Sequence, residues 1–392
     1  MKLSATVQLA PRDISRNHEA RNIRPAFISA FQEIAPRFRG SQKAHLRWLA
    51  EAHIALGNAD PKMIRESLAR CNNAANPIAF RHHELPDFSH RTWNTMRLFS
   101  PGGSTIEEKT RFFDEAVLSV FERLYPVGRA APQAIVHVTC TGYSAPSGAQ
   151  KLVSQRDWGR QTQVLHAYHM GCYAAHPALR IAAGQMAYLP RHLASVDVVH
   201  TELCTLHLDP SQHAMEQLVI QSLFADGHMK YEVTASPPRD DNSFEVVALH
   251  DEIIPDSIPS MKWVTGPFLF AMTLSKEVPV QLGCALDGFV QRIFERAGLD
   301  YATEKSEAVF AIHPGGPRII DLAEKLLRLD PAQAAWSRDV LREHGNMSSA
   351  TLPHIWKTIL DDDKVAPGTL IVSLGAGPGL TVSGALLRKH IA

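Results

Sequence analysis

Along the chain, short apolar runs rich in β-branched residues alternate with longer stretches whose apolar positions return every three to four residues. The runs 134–139 (AIVHVT), 196–206 (VDVVHTELCTL), 244–249 (FEVVAL), 308–313 (AVFAIH) and 369–375 (TLIVSLG) predict strands. The stretches 109–124, 213–224, 317–328 and 334–343 predict amphipathic helices. These strands are largely apolar on both faces, so both must be covered, and the pattern predicts an α/β protein layered helix, sheet, helix. Nearer the N-terminus, AFISAFQEIAPRF (26–38) and AHLRWLAEAHIAL (44–56) read as helices decorating the first half. AIVHVTCTG and AVFAIHPGG are each a buried strand ending in a polar residue and glycine, which hints at internal duplication. The polar segment TASPPRDDNS (234–243) is the natural boundary, dividing 1–235 from 236–392.

At 392 residues and 45% apolar, the chain can bury the two core halves that this division requires. Forty basic and forty acidic residues cancel, so no overall field attracts nucleic acid or an anionic membrane. The opening MKLSATVQLAPRD lacks the apolar centre of a signal peptide, and five widely spaced cysteines suit a reduced, cytoplasmic setting. The longest apolar run, GTLIVSLGAGPGLTVSGALL (368–387), is broken by glycines and a proline and reads as strand, turn and helix, with no membrane span expected.

One cysteine stands out. Cys172, in HMGCYAAHPALR, lies between a strand-like stretch and an alanine-rich helix, where the helix N-terminus favours thiolate. A small packed thiol is the plainer reading of that stretch alone. His313 ends a buried strand before the chain-breaking PGGP, and Asn346 lies in the loop HGNMSSAT. A cysteine nucleophile needs a base or cation, and acyl chemistry needs donors for an oxyanion, which histidine, asparagine and backbone amides supply. Such a set serves a transferase or a papain-like protease, but the CGSCW-type surroundings of the latter are absent. Metal binding is not expected: His82, His83 and His90 with Glu84 and Asp87, and the pair His166 and His169, come without an HExxH or CxxC pattern. GAGPG lacks the following lysine and hydroxyl of a phosphate loop.

The ordered motifs GCYAAHPALRIA, AIHPGGPRIID, HGNMSSAT and GAGPGLTV resemble the chalcone synthase superfamily, the type III polyketide synthases, across residues 60–392. VHTELCTLHLDPSQHAMEQLVIQSLFADG and MTLSKEVP resemble its bacterial branch, which makes alkylresorcinols and alkylpyrones. The resemblance implies a homodimeric thiolase-like fold, two duplicated halves in an αβαβα sandwich. It implies that Cys172 carries an acyl starter while His313 and Asn346 promote decarboxylation of a malonyl thioester and stabilise the enolate; an imidazolium at His313 would favour the Cys172 thiolate. Phe224 corresponds to an aromatic gate, with a second gate at Phe270 or Met272. Cys140, Thr141, Cys204, His207 and Ser348 correspond to cavity-lining positions, as does the loop of Gly375, Ala376, Gly377 and Pro378. Arg70 and Arg318, with Arg81 as a further possibility, are the cations placed to meet coenzyme A phosphates. No cofactor is implied, the substrates being coenzyme A or acyl-carrier-protein thioesters.

The chain departs from the family pattern at Ala376, where an aromatic is usual, at Ser383 in place of an acid, and at Ala145 in place of a methionine that crosses the dimer. The expected activity is therefore extension of a fatty acyl starter by malonyl units and cyclisation to a pyrone or resorcinol. A single-condensation ketosynthase and a non-catalytic dimer partner of an active paralogue are the alternatives.

Overall fold

The computed structural model describes residues 25–71, 78–89, 98–99, 104–189 and 195–391. Its first elements are β1 (Phe27–Glu33), β2 (Phe38–Ser41), α1 (Gln42–Ala55), α2 (Pro61–Cys71) and β3 (Phe80–His83). There follow α3 (Ile106–Leu124), β4 (Ala134–Thr139), α4 (Gly148–Gln155), β5 (Gln163–Tyr168), α5 (Ala175–Met186), β6 (Ser195–Leu203), α6 (Met215–Leu223) and β7 (Asp226–Thr234). Next come β8 (Ser243–Ile253), β9 (Met261–Thr265), β10 (Phe270–Leu274), α7 (Val278–Ala297), α8 (Tyr301–Glu304) and β11 (Val309–Ile312). The last are α9 (Pro317–Leu327), α10 (Ala335–His344), α11 (Thr351–Asp361), β12 (Leu370–Gly377) and β13 (Thr381–His390). Local chemistry sets several ends: the Ser41 hydroxyl accepts from the Ala44 N–H to start α1, and capping boxes of Thr105 with Glu108 and Ser147 with Gln150 start α3 and α4.

Nine strands form one continuous sheet in the order β11-β12-β13-β8-β1-β7-β6-β4-β5. Outward from the β8–β1 joint, the two arms repeat one plan. β1, β7 and β6 are successively antiparallel and β4 is parallel to β6; β8, β13 and β12 are successively antiparallel and β11 is parallel to β12. β5 adds one more parallel strand to the first arm. The joint is short, with Phe27 opposite Glu245 and Ile28 opposite Phe244.

Alternation along the buried strands sends neighbouring side chains into different layers. In β4, Ala134, Val136 and Val138 enter a central core shared with α5 and α11, while Ile135 joins an outer core built on α1 to α4. In β11, Val309 and Ala311 enter the central core, while Phe310 and Ile312 pack on the side of α7 and α9. The two arms of the sheet therefore enclose α5 and α11, with α1 to α4 outside the first arm and α7 and α9 outside the second, which gives the layers helix, sheet, helix, sheet, helix that the resemblance implied.

Two local expectations are corrected. Residues 26–38 do not form a helix: Phe27–Glu33 is β1, paired on both sides in the middle of the sheet. Its register shifts between Ser29 and Gln32, with Ala30 at φ 51°, so the bulge erases the alternation that would have marked a strand. Residues 381–387, expected as a helix, belong to β13, which folds back on β12 in register from Gly377 opposite Thr381. Pairing across two strands outweighs the helical periodicity of either segment.

Candidate active site

The site lies beyond the carboxyl ends of the parallel strands of both arms, where open α/β sheets hold their ligands. β4 and β5 end side by side at Thr139 and Tyr168. The chain then reverses through His169 (φ 61°) and Gly171 (φ 77°) into a 3-10 turn, Gly171–Tyr173, that carries Cys172. α5 begins only at Ala175, so the sulfur sits just ahead of the helix. A Cβ at position 171 would lie 2.6 Å from the Pro378 ring, and one at position 377 would lie 2.5 Å from Tyr173. Both glycines are therefore steric requirements of packing the loop after β12 on the cysteine turn.

His313 is the first residue past β11, and its N–H donates to the Leu374 carbonyl at 2.8 Å. Its ring is buried, and neither nitrogen has a partner among the described residues. Unpaired buried polar atoms are costly, and where they persist they call for an explanation, often a functional one. Asn346 sits between α10 and α11 after Gly345, at φ 76°. Its N–H donates to the Leu223 carbonyl at 2.9 Å and its carbonyl accepts from the Ala225 N–H at 2.8 Å, which lays it beside Phe224. The Ser348 N–H donates to Asn346 Oδ1 at 2.9 Å, so the free capacity of the amide is its Nδ2 donors.

Two cavities meet at Cys172. The larger, about 560 Å³, is walled mostly by apolar residues of α6, α7 and α9 and holds His313, Asn346, Gly375 and Ala376 in its lining. The smaller, about 250 Å³, is lined by Cys140, Thr141, Cys204, His207, Trp263, Phe270, Ser348 and Pro378. Phe224, Met272 and Ile220 line both and so form the partition. Of the two residues expected as a second gate, Met272 lines both cavities and Phe270 only the smaller. Phe270 instead stacks on His207, ring centroids 4.4 Å apart. His207 is a wall: its Nε2 donates to the Thr141 carbonyl at 2.7 Å while its Nδ1 accepts from the Phe270 N–H at 3.0 Å.

The charge state differs from the expected imidazolium and thiolate. Burial lowers His313 to about 3, aided by His176, and burial pushes the Cys172 thiol up to about 12 against the lowering effect of Ser348. Desolvation outweighs the helix N-terminus here, and the resting pair is a neutral thiol and a neutral imidazole. Cys140 and Cys204 are raised by burial as well.

Sequence reasoning missed three residues. Glu202, fully buried in β6, accepts from the Cys140 N–H at 3.0 Å, the Thr141 hydroxyl at 2.9 Å and the Ser349 hydroxyl. Its burial raises it, and the chain of contacts continues from Cys140 Sγ to Ser348 Oγ at 2.9 Å and on to Cys172 Sγ at 3.7 Å. A lone carboxylate inside the apolar run VDVVHTELCTL was the available signal. Glu202→Gln would turn an amide NH₂ toward some of these donors, and is expected to lower the urea unfolding free energy by about 2 kcal/mol, one to two lost bonds at a buried group. Trp263 was the second: its indole N–H donates to the Cys140 carbonyl at 2.6 Å and closes the smaller cavity. Lys276, in the lining of the larger cavity, is the third.

Other predicted positions fall outside the cavities. Arg70 on α2 and Arg318 at the start of α9 are exposed, the latter next to cavity-lining Ile319. Arg81 is buried, donating to Gln42 Oε1 at 2.6 Å and to the Leu223 carbonyl, and so is held away from any phosphate. Ser383 bonds Asp251 on the neighbouring strand. His166 pairs with the Ser147 hydroxyl and His169 with the Trp263 carbonyl, so the two are engaged separately. Glu84 pairs with His228 and Arg37, while His90 lies outside the described residues. Among the described residues, no helix is long and apolar enough to cross a membrane.

Residues 245–391 match the family model for chalcone and stilbene synthases, C-terminal domain. The chain is 30% identical over 260 residues to probable polyketide synthase 1 of Dictyostelium discoideum, covering 66% of this chain but only 8% of that protein's length. It is 26% identical over 304 residues to type III polyketide synthase C of Arabidopsis thaliana, covering 74% of this chain and 78% of the relative. Among solved structures it is similar to the C-terminal type III polyketide synthase domain of Steely1, a type I/III hybrid from Dictyostelium, with TM-score 0.80, 24% identity and coverage of 94% and 100% of the two chains. It is also similar to PKS-I of the brown alga Ectocarpus siliculosus, with TM-score 0.78, 20% identity and coverage of 94% and 98%.

Proposed function

From a chain whose residues 245–391 match the family model for chalcone and stilbene synthases and whose fold is that of type III polyketide synthases, we propose an acyl-transferring polyketide synthase that loads an apolar starter on Cys172. The observation that carries this reading is the position of Cys172 where two cavities meet, with His313 and Asn346 in the lining of the larger. The thioester arm is that of coenzyme A or a carrier protein, with Lys276 in the lining of the larger cavity as a cation within its reach, and the working form is a homodimer, as the family resemblance implies.

The proposed chemistry follows from the neutral pair. The lone pair of the His313 imidazole takes the Cys172 proton as the sulfur attacks the starter thioester, and the leaving thiolate then recovers that proton. A malonyl thioester next loses carbon dioxide, and charge develops on its thioester oxygen. The imidazole N–H and the Asn346 Nδ2 donors stabilise that oxygen more in the transition state than in the ground state. The enolate carbon attacks the acyl-Cys172 carbonyl, the sulfur leaves, and Cys172 regains a proton. The apolar walls of the larger cavity favour a fatty starter, and the product is a pyrone or resorcinol.

One observation favours the alternative of a single condensation without cyclisation: Trp263 closes the smaller cavity. Trp263→Ala is expected to shift products upward by at least one malonyl unit, counted by mass spectrometry with isotope-labelled malonyl-CoA. The proposal itself is tested by supplying the purified protein with malonyl-CoA and a panel of acyl thioesters. The absence of both an acyl adduct and a condensed product with every starter would overturn it.

A further inference from the structure

A cluster of nitrogen and oxygen donors lies on the flank of the Asn346 turn. Glu33 ends β1, His344 ends α10, and His354 stands in the first half of α11. One ligand atom from each of the three lies within 4.8 Å of the others. His354 is nearly closed from solvent, whereas the Glu33 side chain is one-third exposed and free to adjust.

The hydrogen bonds make this more than proximity. A carbonyl can only accept, so His354 Nδ1 carries a proton and donates to the Ala350 carbonyl at 2.7 Å. That bond fixes the tautomer of a neutral ring and leaves the Nε2 lone pair facing Glu33 Oε1 at 3.7 Å. A histidine whose second nitrogen is anchored to a backbone carbonyl is the usual support of a metal ligand. A positive charge is needed between the two lone pairs, either a proton on Nε2 or a cation. His82, buried, stacks on His344 with ring centroids 5.1 Å apart, and its Nδ1 has no partner among the described residues. Arg39, the nearby cation, is engaged elsewhere: it lies 3.8 Å from the Phe80 ring centroid and pairs with Glu343 at 3.3 Å.

We propose that Glu33, His344 and His354 form a binding site for a divalent transition metal of the zinc class. Two imidazoles and a carboxylate, with a fourth position open to water, suit that ion. Tetrahedral zinc holds such donors about 3.4 Å apart, so the cluster closes by roughly an ångström through rotation of Glu33 and His344. The ion would tie the end of β1 to α10 and α11, the two helices that hold Asn346 between them. The cluster was hidden in the sequence because its members come from distant segments with no metal-motif spacing.

The test uses the full chain, stripped with a chelator and dialysed against 10 µM zinc chloride, with bound metal counted by mass spectrometry. The expected result is one zinc per chain for the wild type and for Cys172→Ala, with affinity reduced about 100-fold or more in both His354→Ala and Glu33→Gln. Cobalt(II) in place of zinc should give the visible absorption of a tetrahedral site, lost in the same variants. Melting in chelator reports whether each variant is folded, and Glu33→Gln keeps the shape of the wild-type side chain. Wild-type protein that takes up no zinc, or zinc retained equally by the two variants and lost from Cys172→Ala, would overturn the proposal. The first outcome assigns the cluster to a proton-linked ion pair, the second assigns the metal to the cavity thiols.

Discussion

A protein carrying Cys172→Ala is expected to form no acyl adduct and to lose condensed product by at least about 10³-fold, the scale on which covalent catalysis fails without its nucleophile. Intact-mass spectrometry after incubation with an acyl-CoA reads the first loss, and product quantification reads the second. Cys140→Ala and Cys204→Ala make the comparison specific, because those thiols line the same cavity and remain available in the Cys172 variant. They should keep the adduct. An adduct of equal yield on Cys172→Ala would move the nucleophile elsewhere. The neutral resting pair adds a second signature. With the thiol pushed up to about 12 by burial, alkylation of Cys172 by iodoacetamide should keep rising with pH through 9 and 10. A plateau by pH 7 would instead mark a standing thiolate, the state suggested by the helix N-terminus alone.

That contrast marks what the sequence carries and what it does not. The strands around 134–139, 308–313 and 369–375 are legible because burial on both faces leaves an unbroken apolar run, and they appear as β4, β11 and β12. Cys172, His313 and Asn346 are legible because each follows or precedes a glycine-marked reversal, a local event written in neighbouring residues. β1 is not legible, since its bulge at Ala30 and its pairing with β7 and β8 are decided by residues far along the chain. Protonation is hidden for the same reason. Spacing puts Cys172 at a helix start, but desolvation depends on everything packed around it. Glu202 and Trp263 join the site through contacts with Cys140, and no motif near either residue announces that meeting.

Burial also sets how the whole molecule responds to acid. His45, His137, His200, His207 and His313 are lowered to about 3 and His176 to about 4, with burial the leading cause in each. For a group depressed in the folded state, the stabilising contribution is present above the unfolded value of 6.5 and is lost as pH falls toward the folded value. Each such histidine adds a slope of about 1.4 kcal/mol per pH unit. Three buried acids oppose this, since burial pushes Asp226 up to about 7 and also raises Glu202 and Asp197, so each can only subtract from the histidine contribution. Counting all three as fully opposing still leaves three uncompensated histidines, or about 4 kcal/mol lost per pH unit. A stability of about 5–15 kcal/mol at neutral pH would then be exhausted within roughly one to four units below pH 6.5. Urea titrations at pH 7.5, 6.5 and 5.5 should show little change over the first step and a loss of about 2 kcal/mol or more over the second, because the unfolded imidazoles are already half protonated at pH 6.5. Equal unfolding free energies at all three would mean that these imidazoles take up protons within the folded protein, and His313 would then be free to act as the imidazolium that its burial argues against.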